Sequence, residues 1–167
     1  MSTLEEKFLQ AYDQYADSIF RHCHFRVFDR EKARDILQET FTRTWQYISN
    51  GKKVDNFKTF LYRVANNLII DGSRKHKESS LDELMENGFD VGTNDDQRLP
   101  AILDGKNAIT TVQQLDPKYR DAVLMRYVDD LTPKEISAIT GESENVISVR
   151  IYRGIQQLRE RLNNNNG

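Results

Sequence analysis

At 167 residues, 38% hydrophobic and 30% charged, the chain is long enough to bury one or two small cores and has a globular, soluble composition. No apolar run approaches the ~20 residues that cross a bilayer, the opening MSTLEEKF lacks the basic-then-apolar layout of a secretory signal, and the lone Cys23 excludes an internal disulfide framework and fits a reducing cytoplasm. The net charge of −2 is unevenly spread: residues 1–80 hold 14 Lys/Arg against 11 Asp/Glu, residues 81–110 hold 2 against 7, and residues 111–167 hold 8 against 8.

Residues 4–26 place Phe8, Tyr12, Tyr15, Ile19 and Cys23 at helical spacing, uninterrupted by Pro or Gly, which predicts a helix with one buried side. The sequence His22-Cys23-His24 invites a metal reading. Residues at i and i+2 of a helix face apart, however, and no further His/Cys cluster completes a tetrahedral set, so the expectation is a buried cysteine between two surface histidines and no metal. Asp29 is a plausible cap for a second helix over 30–48, with Ala33, Leu37, Phe41, Thr44, Trp45 and Ile48 inward. Asp35, Gln38, Glu39 and Thr42 fall on or beside its outer face, where the default reading is a solvated surface.

The stretch SNGKKVDN is a short, polar, basic loop by composition. A third helix over 57–76 buries Phe57, Phe60, Leu61, Val64, Ala65 and Leu68. Its period sends Tyr62, Arg63, Asn66, Ile70, Ser73, Arg74 and Lys77 outward or to the margin. An aromatic ring among cations and amides suits unpaired bases, which stack on rings while the cations hold the backbone. An ordinary exposed face with a snorkelling tyrosine fits the same residues.

From Glu78 to Asn107 the periodicity is lost, and Gly88, Gly92, Pro100 and Gly105 lie among many acids, which predicts an interdomain linker with one short helix around residues 81–85. Residues 103–115 look helical again, and Asp116-Pro117 caps another helix that runs to Val128. In the stretch LTPKEISAITGESENVISVRIYRGIQQLRERL, Thr132, Pro133 and Glu135 form a capping box with proline at the first helical position. Ile136 and Ile139 face inward, Gly141 makes a turn, and Ser143 caps a longer helix with an apolar stripe of Ile147, Ile151, Ile155, Leu158 and Leu162. This is a helix-turn-helix pattern. Asn145, Val149, Tyr152, Arg153 and Gln156 point away from the stripe, with Ser148 at their margin. Asn and Gln match adenine edges, Arg matches guanine, and an exposed valine can touch a thymine methyl. The run of asparagines before Gly167 predicts a frayed tail. The fold class expected is therefore all-α: two small helical domains, 1–78 and 108–163, joined by an acidic linker over 79–107, with a disordered tail over 164–167.

Phosphate neutralisation supplies most non-specific DNA affinity. A C-terminal domain of zero net charge should bind DNA weakly alone, so either the helix-turn-helix reading is wrong or another protein brings the chain to DNA.

The order of these pieces resembles a bacterial sigma factor of the extracytoplasmic-function group. ARDILQETFTRTW is similar to the family's A-x-D-[IL]-x-Q-E-x-F-x-x-x-W, and FKTFLYRVANNLIIDGSRKHK to its F-x-x-W-L-Y-x-[IV]-A-x-N-x-x-x-D-x-x-R. LDPKYRDAVLMRYVDDLTPKEIS resembles L-P-x-x-x-R-x-V-x-x-x-R-Y-x-x-x-L-[ST]-x-x-E-I-[AS], and the helix beyond it continues the match. The resemblance implies that Asp35, Gln38 and Glu39 grip the β′ clamp helices of core RNA polymerase, with the β subunit a further partner. It implies that Lys53, Asp55 and Asn56 choose a flipped base of the −10 element, and that Tyr62, Arg63, Asn66, Asn67, Arg74 and Lys75 line the strand path. Asn145, Ser148, Val149, Tyr152 and Arg153 would read the −35 element, with Arg150 on a phosphate. Phe60 stands where the family usually has Trp, Asn66 and Ser148 where basic residues are common, and Glu142 where an apolar residue is usual.

The function so implied is promoter-specific initiation by −35 recognition and −10 melting, in the cytoplasm, with no catalytic residues, cofactor, metal or membrane insertion. An anti-sigma factor is a further partner the family implies, and a stand-alone helix-turn-helix regulator is the alternative. The acidic linker, through Asp82, Glu83, Glu86, Asp90, Asp95 and Asp96, is expected to lie in the basic nucleic-acid channel of the polymerase.

Overall fold

The computed structural model describes residues 3–79 and 105–165, with side chains described for 3–72 and 110–164. Every regular element among them is a helix: α1 (Leu4–Val27), α2 (Arg30–Ser49), α3 (Phe57–Ser79), α4 (Gly105–Gln114), α5 (Pro117–Tyr127), α6 (Pro133–Thr140) and α7 (Glu144–Asn165). They fall into two compact units, divided between Asn94 and Asp95. The predicted short helix at 81–85 and most of the acidic segment lie outside the described residues. Helix α3 runs on to Ser79, three residues past its expected end, because no Pro or Gly stands between Gly72 and Ser79 to stop it. For the same reason α7 continues through Asn163 to Asn165, where a frayed tail was expected.

In the first unit α1, α2 and α3 all pack against one another. Thr3 and Glu6 close a capping box at the start of α1, the Glu6 N–H donating to Thr3 Oγ1 at 3.1 Å and the Thr3 N–H to Glu6 Oε2 at 3.2 Å. The helix ends at Phe28, a left-handed residue with φ 53°. Asp29 then caps α2 by accepting from the Glu31 and Lys32 N–H groups at 3.0 and 3.2 Å, so a two-residue link reverses the chain. Phe8 packs on Phe41 and Trp45 with ring centroids 6.0 and 5.2 Å apart, and Tyr12 on Phe41 at 4.8 Å, fixing which face of α2 is buried. Thr40 and Thr44 are buried on that face, and their hydroxyls donate to the Ile36 and Thr40 carbonyls at 2.7 Å each. The back-bonds leave neither hydroxyl unsatisfied.

Two side chains expected at the surface are interior here. Tyr62 is 1% exposed and His22 0%, and their rings meet edge to face at 5.1 Å and 88°. A single helical stripe would leave both outside. Both α1 and α3 are contacted from two sides, so their buried faces are wider than one stripe and take in the positions beside it. His24, half-buried, stacks on Phe20 at 5.7 Å.

The second unit sets three short helices, α4 to α6, against the 22-residue α7. Asp116 caps α5 through the Lys118 N–H at 3.2 Å, with Pro117 in the first turn. Thr132 and Glu135 form the expected box on α6, with bonds of 3.1 and 3.0 Å. Gly141 ends α6 at φ 83°, a left-handed conformation suited to glycine, and its N–H donates to the Ser137 carbonyl at 2.9 Å. Helix α7 packs on α4, α5 and α6 through Ile147, Gly154 and Leu158. Gly154 marks a close crossing of α5 and α7: a Cβ there would lie 2.6 Å from Val123 Cγ2 and 3.3 Å from the Tyr119 carbonyl oxygen. No helix among the described residues is long and apolar enough to cross a membrane.

Candidate polymerase and nucleic-acid interfaces

Three exposed surfaces carry the polar residues singled out in the sequence. The first is the outer face of α2. With Ala33, Phe41, Thr44 and Ile48 buried, Asp35, Gln38 and Glu39 lie exposed at positions i, i+3 and i+4 of one face. Glu39 Oε1 accepts from Arg43 Nε at 2.8 Å, and both side chains remain about half exposed. The pair costs a docking partner little to open, because an exposed i,i+4 ion pair contributes only about 0.3–0.5 kcal/mol.

The second surface is the loop before α3 together with the start of that helix. Gly51 turns the chain at φ 89°. Lys53, Asp55 and Asn56 are exposed. Asn56 also caps α3: its Oδ1 accepts from the Thr59 N–H at 3.2 Å and its carbonyl from the Phe60 N–H at 3.1 Å. Asn immediately before the helix start at Phe57 is a favoured capping residue, a signal passed over when SNGKKVDN is read only as a loop. Behind the loop, Tyr47 and Phe60 pack with centroids 4.8 Å apart, and Lys52 Nζ sits 5.2 Å from the Tyr47 centroid. Tyr47 was missed in the sequence because it flanks the inner stripe of α2, and only the tertiary fold brings it to Phe60.

Along α3, Arg63 and Asn67 are exposed and Asn66 is half-buried. Tyr62, expected on the strand path, is enclosed against His22, so its ring is no stacking platform in this conformation. The backbone of Arg74 and Lys75 is helical, but their side chains lie outside the described set.

The third surface is α7. Its N-terminus is capped by Ser143, which accepts from the Val146 N–H at 3.1 Å through Oγ and from the Ile147 N–H at 3.0 Å through its carbonyl. Ile147 and Leu158 anchor the inner side. Asn145, Ser148, Val149, Tyr152, Arg153 and Gln156 are exposed on the other, as their period requires. Tyr152 is 64% exposed and its hydroxyl accepts from Gln156 Nε2 at 3.0 Å. Val146, at the start of the helix, adds an apolar position to this face that the stripe did not suggest. Arg150 is partly covered, and its Nη2 lies 3.6 Å from Glu142 Oε1 in the turn. Between them the three surfaces offer carboxylates, cations, amides and exposed apolar side chains.

Residues 11–79 match the family model for sigma-70 region 2, and residues 106–158 match that for sigma-70 region 4. The ECF RNA polymerase sigma factor SigW of Bacillus subtilis is 30% identical over 168 residues, covering 95% of this chain and 90% of the relative. The ECF RNA polymerase sigma factor SigM of the same organism is 30% identical over 157 residues, covering 92% and 94%. The fold is shared with the sigma factor RpoE of Bartonella quintana, solved in complex with the anti-sigma factor NepR, at a TM-score of 0.72 and 20% identity, over 94% of this chain and 97% of that one.

Proposed function

The chain belongs to the ECF family of RNA polymerase sigma factors and directs promoter-specific transcription initiation, not stand-alone regulation; from that premise we propose how its surfaces divide the work. Asp35, Gln38 and Glu39 dock core polymerase at the β′ clamp helices, with the β subunit a second contact. The loop bearing Lys53, Asp55 and Asn56 selects a flipped base at −10, and Arg63, Asn66, Asn67, Arg74 and Lys75 guide the displaced strand. Helix α7 reads the −35 element through Asn145, Ser148, Val149, Tyr152 and Arg153, with Arg150 on a phosphate.

The observation that supports this division most directly is that the α2 face and the α7 face are each held outward by a buried stripe within separate compact units. A polymerase that binds one unit raises the effective concentration of the other on DNA to roughly millimolar. That compensates for the neutral charge of residues 111–167.

The reading is non-covalent: capture of unstacked bases offsets a melting cost of a few kcal/mol. It needs no cofactor and no enzymatic site, and it places the protein in the cytoplasm. The first domain, expected over 1–78, extends to Ser79 at the end of α3, and the second, expected over 108–163, begins at Gly105 with α4; the acidic segment between them occupies the polymerase channel. An anti-sigma factor covering one of these faces belongs to the same proposal, motivated by the complex in which the Bartonella quintana relative was solved.

The test is transcription by purified core polymerase on a promoter library. Initiation at a defined promoter set only when the chain is added supports the reading. With Asp35→Lys and Glu39→Lys combined, association with core should fall at least tenfold while the thermal unfolding curve stays unchanged. Unaltered association would remove α2 as the docking face.

A further inference from the structure

We propose that Glu142 competes within the chain for the guanidinium that Arg150 would otherwise give to a DNA phosphate, so that α7 meets DNA with one cation masked. The inference rests on the reading of α7 as the −35 helix. The turn is built to hold this carboxylate in place. Gly141 takes the left-handed conformation at φ 83°. Ser137 Oγ donates to the Glu142 carbonyl at 2.6 Å, and the Glu142 N–H donates to Thr140 Oγ1 at 3.2 Å. Ser143 follows at once as the cap of α7. The backbone of Glu142 is therefore tied on both sides, and its side chain reaches Arg150 at 3.6 Å.

Arg150 keeps 27% of its side-chain surface exposed and Glu142 keeps 47%, so the pair is open to solvent and exchangeable. A carboxylate and a phosphate present similar acceptor geometry to a guanidinium. A phosphate arriving at the first half of α7 must displace Glu142 or accept it as a neighbour of like charge. Both outcomes weaken the sequence-independent part of binding. The base-edge contacts available to Asn145, Ser148, Tyr152 and Arg153 are untouched. Masking the cation acts on matched and mismatched duplexes alike, so Glu142 lowers the overall affinity of α7 for DNA, which keeps this unit dependent on polymerase.

The full-length chain is titrated with duplex DNA of random sequence over a salt series, and its promoter choice is read with core polymerase present. Glu142→Gln should raise affinity for the random duplex about two- to fivefold, the size of an exposed ion pair. It should also steepen the salt slope toward one additional phosphate contact, about 0.9. With polymerase at a concentration that saturates the matched promoter, the added sequence-independent affinity should show only at unsaturated, mismatched −35 sequences, whose transcription should rise. In an Arg150→Ala background the gain should vanish. No gain, an equal gain with and without Arg150, or an effect confined to one base pair of the −35 element would each overturn the competition. If Arg150→Ala leaves DNA binding unchanged in the Glu142→Gln background, where the guanidinium is unmasked, the placement of Arg150 on a phosphate fails first and the competition with it.

Discussion

The two units present their functional faces by different means. In the first, long helices pack on two sides each, and burial reaches round to Tyr62, His22, Thr40 and Thr44. In the second, three short helices of 10, 11 and 8 residues pack with the 22-residue α7, and local punctuation is dense: Asp116, Thr132 with Glu135, Gly141 and Ser143 each fix an end. A face defined by mutual packing depends on every neighbour, whereas one defined by caps depends on a few backbone hydrogen bonds nearby. The first unit should therefore be sensitive to core truncation, and the second to changes at caps and at the close crossing at Gly154.

Thermal or denaturant unfolding of the full chain can break or sharpen that contrast. The largest effect is expected from Tyr62→Ala, which empties a site 1% exposed and removes the ring that meets His22. A loss of about 3–5 kcal/mol is typical of truncating a buried aromatic. The loss should fall on the transition of the first unit, and a loss below about 1 kcal/mol would place the ring at the surface after all.

Next comes Gly154→Ala, whose Cβ would sit 2.6 Å from Val123 Cγ2. Helix propensity alone favours alanine by about 1 kcal/mol, but overpacking against α5 should outweigh it and leave a net loss of about 1–2 kcal/mol. Adding Val123→Ala should recover part of the loss by making room, and a stabilised single variant would show that α5 and α7 stand further apart. Thr132→Ala should cost about 1 kcal/mol by opening the capping box of α6, with unfolding of the first unit unchanged. Arg43→Ala should be smallest, no more than about 0.5 kcal/mol, because its partner Glu39 is half exposed.

How much of each surface was legible follows from the same contrast. On α7 one inner stripe from Ile147 to Leu158 settles the register, and Asn145, Val149, Tyr152, Arg153 and Gln156 are exposed where the period puts them. On α2 the aromatic contacts of Phe41 and Trp45 agree with the expected stripe, leaving Asp35, Gln38 and Glu39 outside. Along α3 the period misplaced Tyr62, because a phenol beside Arg63 reads as a surface group until a second helix is known to cover it. Tyr47 on Phe60 and Glu142 near Arg150 had no periodic signal. Each depends on side chains brought together by a turn.

Local chemistry written along the chain determined the helices, their caps, the break in periodicity after α3 and the outward face of α7, because 3.6-residue spacing and capping need only near neighbours. The depth at which Tyr62 and His22 are buried, the contact that reserves position 154 for glycine, and the pairing of Glu142 with Arg150 were decided by tertiary structure. They depend on distances between elements, and the period of a single helix carries no information about which neighbour will lie against its flanks.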